Sequence, residues 1–406
     1  MTSENQTTEN NPISDTLKVV ELFAGIGAAR KALKNLGVNH SSIISEIDER
    51  AARSYMAVHG DTPNLGNISD VEQLPECDLL TYGFPCQDIS VAGHQRGFNK
   101  NSGTRSGLLW EVQRLLDCSP PPKIMILENV KAITGDKFRK PLNAYIQSLA
   151  ERGYTSSWRV LNSRDFGIPQ NRERFFMVSC LNGVHFQFPK GHTLKTCLKD
   201  FLQGDVTEKY YLSDAEIAKY EAEGIKSRMD KGVGCIEIGN LNLHNYRQAD
   251  RVYDLNGLSP TLRTCQGGGL EVKIVDNTKK GYLTAKEGDG VILDHPTSTT
   301  KRGRVQQGMA STLMTCGGGV GVVVPPMLPN QPLRIRKLTE REYWRLMGFT
   351  DSDFDSAAIV TSKSQLYKQA GNSIVVQVLE AIFRELYMKK QPRMALLSDY
   401  CTEVLV

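Results

Sequence analysis

Three segments carry residues that could together attack a polar ring: a thiol, a carboxyl and two guanidinium groups. Cys86 follows the apolar run DLLTYGFP, Glu128 follows KIMIL, and Arg172 and Arg174 alternate in QNRERFFMV. Alternate residues of a strand point the same way, so the two arginines share one side. A thiol becomes nucleophilic where positive charge lowers its pKa. Together these residues predict a site that holds and attacks a polar heterocycle, although each alone is more typical of a buried cysteine or a surface salt bridge.

A glycine turn, Gly25-Ile26-Gly27, follows the strand-like run KVVELFA and opens a helical stretch. The missing side chains let a cofactor approach the backbone. The third glycine of a nicotinamide site is absent, because the chain continues Ala28-Ala29-Arg30. Glu46 follows the next apolar run, SSIIS, and is placed to accept hydrogen bonds from ribose hydroxyls or, more simply, to cap a helix.

The segment after Cys86, VAGHQRGFNKNSGTRSG (91–107), is polar and rich in glycine. It carries Arg96 and Arg105 among its basic residues. This composition predicts a flap that closes over a polyanion, or else a solvated surface loop.

Composition excludes several classes of protein. The 406 residues are 40% hydrophobic and 23% charged, with no apolar run of the roughly 20 residues that span a bilayer. The first 15 residues lack a basic start and an apolar core, so we predict a disordered tail. A net charge of +4 suits a polyanionic partner without proving one. The nine cysteines form no CxxC pair, which favours a reduced intracellular setting, and the spacing of His185, His192 and Cys197 predicts no metal site.

The order of elements predicts an α/β protein. From Leu17 to Cys180, short apolar runs alternate with amphipathic stretches, a pattern typical of a parallel sheet covered by helices on both faces. Ligands of such sheets lie at the carboxyl ends of the strands, where the segments above fall.

A different pattern follows, from about residue 190 to 332, with many Gly, Asn and Thr residues and one predicted helix at 213–223. The segments RVYDLNGLSPTLRTCQGGG (251–269) and RVQQGMASTLMTCGGG (304–319) are similar to each other. They predict either a duplicated β-hairpin or a pair of loops that reads a ligand. Helical character returns at 339–347 and 375–388.

Taken in order, these blocks resemble the bacterial-type DNA cytosine-5 methyltransferases of restriction-modification systems. From Leu17 to about Met388, the family's order of blocks is followed by FAGIGA, Glu46, GFPCQ, ENV, QNRER, RKLTEREYWRLMGF and QAGNSIVVQV. The resemblance implies a doubly wound, mostly parallel methyltransferase sheet with a smaller, β-rich target recognition domain. We expect a disordered tail at 1–15, a catalytic and cofactor-binding domain at 16–190, the recognition domain at 191–350 and a segment returning to the catalytic domain at 351–406.

The same resemblance implies that a methyl group passes from S-adenosylmethionine to carbon 5 of a flipped-out cytosine in a specific duplex sequence. It assigns catalysis to Cys86, Glu128 and Arg174, with Arg172 in support. Residues expected to bind the cofactor are Phe23, Ala24, Gly25, Ile26, Gly27, Glu46, Ile47, Asn67, Ile68, Gly83, Pro85, Asn372 and Ser373. Residues expected to contact DNA are Gln87, Ser90, Arg96, Arg105, Arg263, Gly267, Gly268, Gly317 and Gly318.

The expected setting is also that of the family. The partner is double-stranded DNA, and a cognate restriction endonuclease would act independently. We expect a monomer with no membrane association, working in the cytoplasm of a bacterium, at the nucleoid, and encoded by the bacterium or a phage.

Two positions depart from the family pattern. Gly66-Asn67-Ile68 stands where Gly-Asp-Ile is usual, which leaves an amide oxygen to accept a hydrogen bond from the adenine of the cofactor. Asn171 stands where a basic residue is more usual, which puts one phosphate or base contact in doubt but not the chemistry.

Three other functions fit parts of the sequence. A tRNA cytosine-5 methyltransferase would share the Cys86 and ENV blocks, but it would lack the long stretch between QNRER and RKLTE. A silent DNA-binding homologue would not need Cys86, Glu128 and Arg174 intact. An oxidoreductase would explain FAGIGA and leave GFPCQ and QNRER without a role.

Overall fold

A six-stranded sheet lies at the centre of the structure, a computed structural model that describes residues 16–86, 89, 105–213, 334–388 and six short strands in between. The strands up to residue 181 are β1 (Leu17–Leu22), β2 (His40–Ser45), β3 (Leu79–Tyr82), β4 (Ile124–Val130), β5 (Tyr154–Asn162), β6 (Gln170–Asn171) and β7 (Glu173–Leu181). The order in the central sheet is β2-β1-β3-β4-β7-β5.

Strands β1 to β4 are parallel, whereas β7 runs antiparallel to both β4 and β5. The connection between β5 and β7 is a short turn that includes β6, too short for the crossover that two parallel strands need. β7 therefore returns between β5 and β4. The predicted α/β sheet is confirmed, and its antiparallel strand is the one that carries Arg174.

Helices cover both faces of this sheet. They are α1 (Ala28–Asn35), α2 (Glu49–His59), α3 (Leu109–Cys118), α4 (Asp136–Ala150), α5 (Glu340–Arg345), α6 (Asp351–Val360), α7 (Lys363–Asn372) and α8 (Val376–Tyr387). Short 3-10 turns span Ile68–Asp70, Arg105–Leu108, Lys131–Thr134, Ser163–Phe166, Leu198–Phe201 and Glu208–Tyr210. One apolar cluster joins the sheet to α1, α5 and α8, and a second joins it to α3 and α4. Within the residues described above, no helix is both long and apolar enough to cross a membrane.

The C-terminal helices pack against the first two helices of the chain. α8 lies on α1, and α6 lies on α2. Lys31 of α1 and Asp353 of α6 form an ion pair of 2.6 Å, with side chains only 8% and 9% exposed. Trp344 and Met347 lie in the same cluster as β1, although the predicted boundary at residue 350 assigns them to the recognition domain. Burial of this apolar block, more than 300 residues after β1, explains why the chain must return to the sheet.

A second, antiparallel sheet is formed by β8 (Glu237–Asn240), β9 (Arg251–Tyr253), β11 (Gly290–Leu293), β12 (Val305–Gln306), β13 (Gly321–Val324) and β14 (Arg334–Lys337). The short β10 (Ser259–Pro260) pairs with β6. Both similar segments begin with a strand next to β11, since Val252 pairs with Ile292 and Val305 with Val291. The predicted helix at 213–223, apart from its first residue, the glycine-rich ends of both segments and the N-terminal tail lie outside the described residues.

The Lys31–Asp353 pair generates a prediction for stability. We expect Asp353→Asn to lower the free energy of unfolding by roughly 3–5 kcal/mol, because it leaves a buried ammonium group without its countercharge. The matched control is Glu76→Gln, which breaks an exposed pair with Lys18 that water already screens. Urea denaturation followed by circular dichroism would measure both. Equal shifts in the two midpoints would contradict a structural role for the buried pair.

Candidate active site

Cys86, Glu128 and Arg174 meet where β3 and β4 end and β7 begins. Arg174 Nε lies 3.1 Å from Glu128 Oε1, and the two side chains are 15% and 12% exposed. Arg174 is opposite Val130 in the β4–β7 register, two residues along the same face from Glu128. Gly83, at the end of β3, lies so close that an added Cβ would be 3.3 Å from Glu128 Oε2. The three groups therefore share one small buried volume.

The charges around Cys86 work against one another. Burial raises the pKa of the Cys86 thiol, Arg174 and Arg172 lower it, and Glu128 raises it further. Burial also raises the pKa of the Glu128 carboxyl, an effect that Arg174 and Arg172 partly offset. The net result is that both groups hold their protons to higher pH than they would in water.

Arg172 contacts the C-terminal part of the chain. Its side chain is buried, and one terminal nitrogen donates to the backbone carbonyls of Gly371 (3.0 Å) and Ser373 (2.6 Å). Arg172 thus connects the start of β7 to the end of α7, behind Arg174. Asn171, the second departure from the family pattern, accepts a hydrogen bond from Asn162 at 2.6 Å through its side-chain oxygen.

A cavity opens beside this cluster, at the carboxyl ends of β1 and β3. Of the residues predicted to bind the cofactor, those lining it are Phe23, Ala24, Gly25, Gly83, Asn372 and Ser373. Glu128 lines it as well, so the cavity reaches the candidate catalytic carboxyl. Sequence reasoning missed Glu21 and Thr81 among the lining residues, because the strand pattern alone does not show which side chains face the cavity.

Two glycines of the turn have left-handed backbone conformations, and the space around them differs. Gly25 has φ +58° and nothing within 4 Å of where a Cβ would stand, so the space over it is open. Gly27 has φ +78°, and a Cβ there would lie 2.4 Å from Nε2 of His59 and 2.6 Å from Tyr55. Phe23, which is not a glycine, also has a positive φ of 56°. The turn therefore has a backbone that only a firmly packed surrounding can hold.

Helix α2 supplies that surrounding through two residues one turn apart. His59 Nε2 lies 3.0 Å from the Ile26 carbonyl, and burial lowers the pKa of the ring to about 4, so the neutral imidazole donates this hydrogen bond. Tyr55 donates from its hydroxyl to Glu21 of β1. Burial raises the pKa of Glu21 to about 7. The spacing of Tyr55 and His59 is the only sequence signal that could have indicated this support.

Glu46 joins the glycine turn to the end of β2. Its two oxygens accept hydrogen bonds of 2.8 Å from the backbone amides of Gly25 and Asp48. The neighbouring Ile47 is 70% exposed. Asn67 caps a 3-10 turn, since its oxygen accepts from the Ser69 amide at 3.2 Å while its nitrogen lies 3.2 Å from Asp70. Ile68 is buried in the core, and Pro85 accepts a hydrogen bond from Ser106.

Most of the residues predicted to contact DNA lie outside the described residues. They are Gln87, Ser90, Arg96, Arg263, Gly267, Gly268, Gly317 and Gly318. Arg105 begins the 3-10 turn that leads into α3, and only its backbone is described.

Comparison with known proteins decides the family. The family model for C-5 cytosine-specific DNA methylases matches residues 17–388. The chain belongs to this family. It is 33% identical to the orphan methyltransferase M.SPRI of Bacillus phage SPR, over 92% of this chain and 99% of that one. It is 30% identical to the type II methyltransferase M.HhaI of Haemophilus parahaemolyticus, over 90% and 93%.

Solved structures agree on the fold. The Entamoeba histolytica methyltransferase EhMeth has a TM-score of 0.56 at 17% identity, and the S. pombe Dnmt2 methyltransferase a TM-score of 0.53 at 17% identity. Both comparisons cover 92% of this chain, with 99% and 98% of the others. By its family model and its curated relatives the chain is a DNA cytosine-5 methyltransferase, and Cys86, Glu128 and Arg174 lie on or next to strands of its central sheet.

The electrostatics of Cys86 in this methyltransferase can be measured on the free protein. We expect Arg174→Gln to slow alkylation of Cys86 by iodoacetamide at pH 8 on the order of tenfold, because a positive charge that lowers the pKa of the thiol is removed. Peptide mass spectrometry would follow each cysteine separately. Arg159→Gln, at an exposed arginine of the neighbouring strand, is the matched control. An unchanged rate in Arg174→Gln would contradict the assigned influence.

Proposed function

We propose that this enzyme transfers the methyl group of S-adenosylmethionine to carbon 5 of a cytosine flipped out of duplex DNA, with Cys86 as the covalent nucleophile. The observation that carries the proposal is the convergence of the Cys86 thiol, the Glu128 carboxyl and the Arg174 guanidinium beside the cavity of the glycine turn. A thiol alone would suit many reactions. A thiol paired with a hydrogen-bonding carboxyl and a fixed cation suits addition to a polar ring.

Cys86 supplies the electron density that carbon 5 lacks. Its thiolate adds to carbon 6, and the electron pair of the 5,6 double bond moves to carbon 5 and, by conjugation through carbon 4, toward N3 and the exocyclic O2. Carbon 5 then forms a bond to the methyl group, and the electron pair of the broken carbon–sulfur bond stays on the sulfur of the donor. Loss of the carbon 5 proton to a base expels the Cys86 thiolate and restores the double bond. We assign this last proton to a water molecule, because the sequence offers no obvious side chain as the base.

Glu128 is suited to assist because its pKa is raised by burial. A carboxylate with a raised pKa takes up a proton more readily, and in the protonated form it can donate to N3 of the cytosine and favour protonation of the ring as negative charge develops. The Arg174 guanidinium, held by Glu128, can donate to the O2 side of the base. We assign Arg172 a supporting role, because it fixes the strand start that presents Arg174.

The cavity fits S-adenosylmethionine, which when bound supplies an electrophilic methyl group on a sulfonium sulfur. The amino end of α1 and the open space over Gly25 suit the carboxylate of its methionine part. Glu21 lines the cavity with a carboxyl group that suits the ammonium. We assign Glu46, which holds the glycine turn through the Gly25 amide, to the ribose hydroxyls, and the exposed side chain of Ile47 to the adenine. We assign Asn67 to the adenine amine, a contact its oxygen would share with the Ser69 amide.

The target cytosine must flip out of the duplex before any of these groups can reach carbon 6, because a stacked base is inaccessible. We propose that residues 191–350 recognise the target sequence. The predicted contacts of Arg263 and the two glycine segments with the major groove remain predictions.

The names of the relatives suggest two settings. M.HhaI is a type II methyltransferase, and M.SPRI is an orphan methyltransferase. We propose a monomeric modification enzyme that acts on cellular DNA in the cytoplasm, at the nucleoid of a bacterial host. A cognate restriction endonuclease, where one is present, would act independently on the same site.

The catalytic assignments predict two graded losses. Cys86→Ser should abolish methyl transfer to duplex DNA, and Glu128→Gln should lower kcat by about 10²–10⁴-fold, because its amide can donate to N3 but cannot lose a proton. Label from methyl-labelled S-adenosylmethionine would give the rates, and bisulfite sequencing would give the modified position. Cys118→Ser and Glu151→Gln, both at exposed positions, are the matched controls.

Three outcomes would overturn the proposal in different ways. Full activity of Cys86→Ser would exclude the covalent mechanism. Transfer to tRNA but not to DNA would change the substrate. A wild-type protein that binds cofactor and DNA without transfer would be a silent DNA-binding homologue.

The cofactor assignment predicts a difference between two glycines. Gly27→Ala should weaken binding of S-adenosylmethionine about tenfold or more, because its methyl group would displace His59 and Tyr55 and so the turn itself. Gly37→Ala is the control, since Gly37 has a similar φ of +69° but nothing within 4 Å and lies at the far end of α1. Isothermal titration calorimetry would measure both. Equal affinities in the two variants would contradict the assigned cavity.

A further inference from the structure

Three successive backbone carbonyls around Cys86 each accept a hydrogen bond from a different part of the chain. Asn129 of β4 donates its side-chain amide to the Phe84 carbonyl at 3.0 Å. Ser106 donates its hydroxyl to the Pro85 carbonyl at 2.6 Å. The Ile89 amide donates to the Cys86 carbonyl at 3.0 Å. The peptide planes on both sides of the nucleophile are therefore fixed.

Two of these donors are buried side chains that the mechanism above does not use. Ser106 is fully buried in the 3-10 turn before α3, twenty residues after Cys86. Asn129 is 2% exposed and directly follows Glu128. Its oxygen accepts from the Val130 amide at 2.9 Å, which holds the amide group in place. One strand thus supplies both the candidate catalytic carboxyl and a support for the nucleophile.

We propose that Ser106 and Asn129 are positioning residues that hold the Cys86 backbone so that the thiol points at the substrate base; this inference rests on the proposed function. Neither side chain would touch the reacting atoms. Each acts through a carbonyl of the Phe84-Pro85-Cys86 turn.

Geometry explains why two hydrogen bonds can matter for the rate. A nucleophile displaced by about 1 Å can lose on the order of a hundredfold in rate, because attack needs close contact along a defined direction. The same hydrogen bonds also hold the thiol in its buried place beside Glu128. Releasing them should make Cys86 slower as a catalyst and, at the same time, more accessible to a small reagent.

The test measures both quantities in the full-length enzyme: the catalytic rate, which should fall, and the rate of Cys86 alkylation, which should rise. In Ser106→Ala we expect kcat to fall by about 10- to 100-fold, with little change in the KM for S-adenosylmethionine. We expect iodoacetamide to alkylate Cys86 several times faster, while the buried Cys77 and Cys180 react as in the wild type. Ser106→Thr keeps the hydroxyl and should restore both readings.

The matched control is Ser148→Ala in α4, which removes a buried hydroxyl that donates to the Tyr145 carbonyl at 2.7 Å away from the cavity. It should leave both readings unchanged. Asn129→Ser removes the hydrogen bond from the Asn129 amide to the Phe84 carbonyl and should have the same effects on kcat and alkylation. It serves as the second test if Ser106→Ala does not fold.

Several outcomes would overturn the inference. Unchanged kcat or unchanged Cys86 alkylation in Ser106→Ala would exclude positioning. Faster alkylation of Cys77 and Cys180 as well would indicate general loosening instead. Failure of Ser106→Thr to recover would exclude the hydroxyl as the active feature. Because alkylation needs neither DNA nor cofactor, failure of the proposed methyl transfer would be seen separately, as an inactive wild type with the alkylation pattern intact.

Discussion

The buried ion pair between Glu128 and Arg174 is the interaction on which the candidate site depends. A carboxyl removed from water is costly to ionise unless a cation accompanies it, and Arg174 is the cation that lies at 3.1 Å. The pair requires β7 to run antiparallel beside β4, so that the start of one strand meets the end of the other. The same pair surrounds the Cys86 thiol with one positive and one negative group. Small changes in their balance therefore control how readily the thiolate forms.

A second constraint acts on the glycine turn, which packs against helix α2. Tyr55 and His59 fill the space that side chains at Gly27 would need, and Glu46 ties Gly25 to the end of β2. These contacts fix a backbone with several positive φ values before any ligand arrives. A cavity prepared in this way does not need to order its own loop upon binding, and ordering lowers affinity.

Distant parts of the chain complete both features. Arg172 donates to carbonyls about 200 residues later, at the end of α7, where Asn372 and Ser373 line the cavity. The Lys31–Asp353 pair and the apolar block around Trp344 bind the same C-terminal helices to α1. The cavity of the glycine turn and the strand that carries Arg174 are therefore parts of one packed unit.

The sequence by itself determined the family and the order of elements. The blocks around Gly25, Cys86, Glu128 and Arg174 predicted the family, and alternating apolar runs predicted the α/β sheet. Both predictions were possible because they depend on the type and spacing of residues that are close together in the chain. Only the tertiary structure decided that β7 is antiparallel, that Arg172 donates to the C-terminal segment and that Ser106 and Asn129 donate to the turn that contains Cys86. Those contacts join residues far apart in the chain, and no local pattern specifies which buried donor will meet which carbonyl.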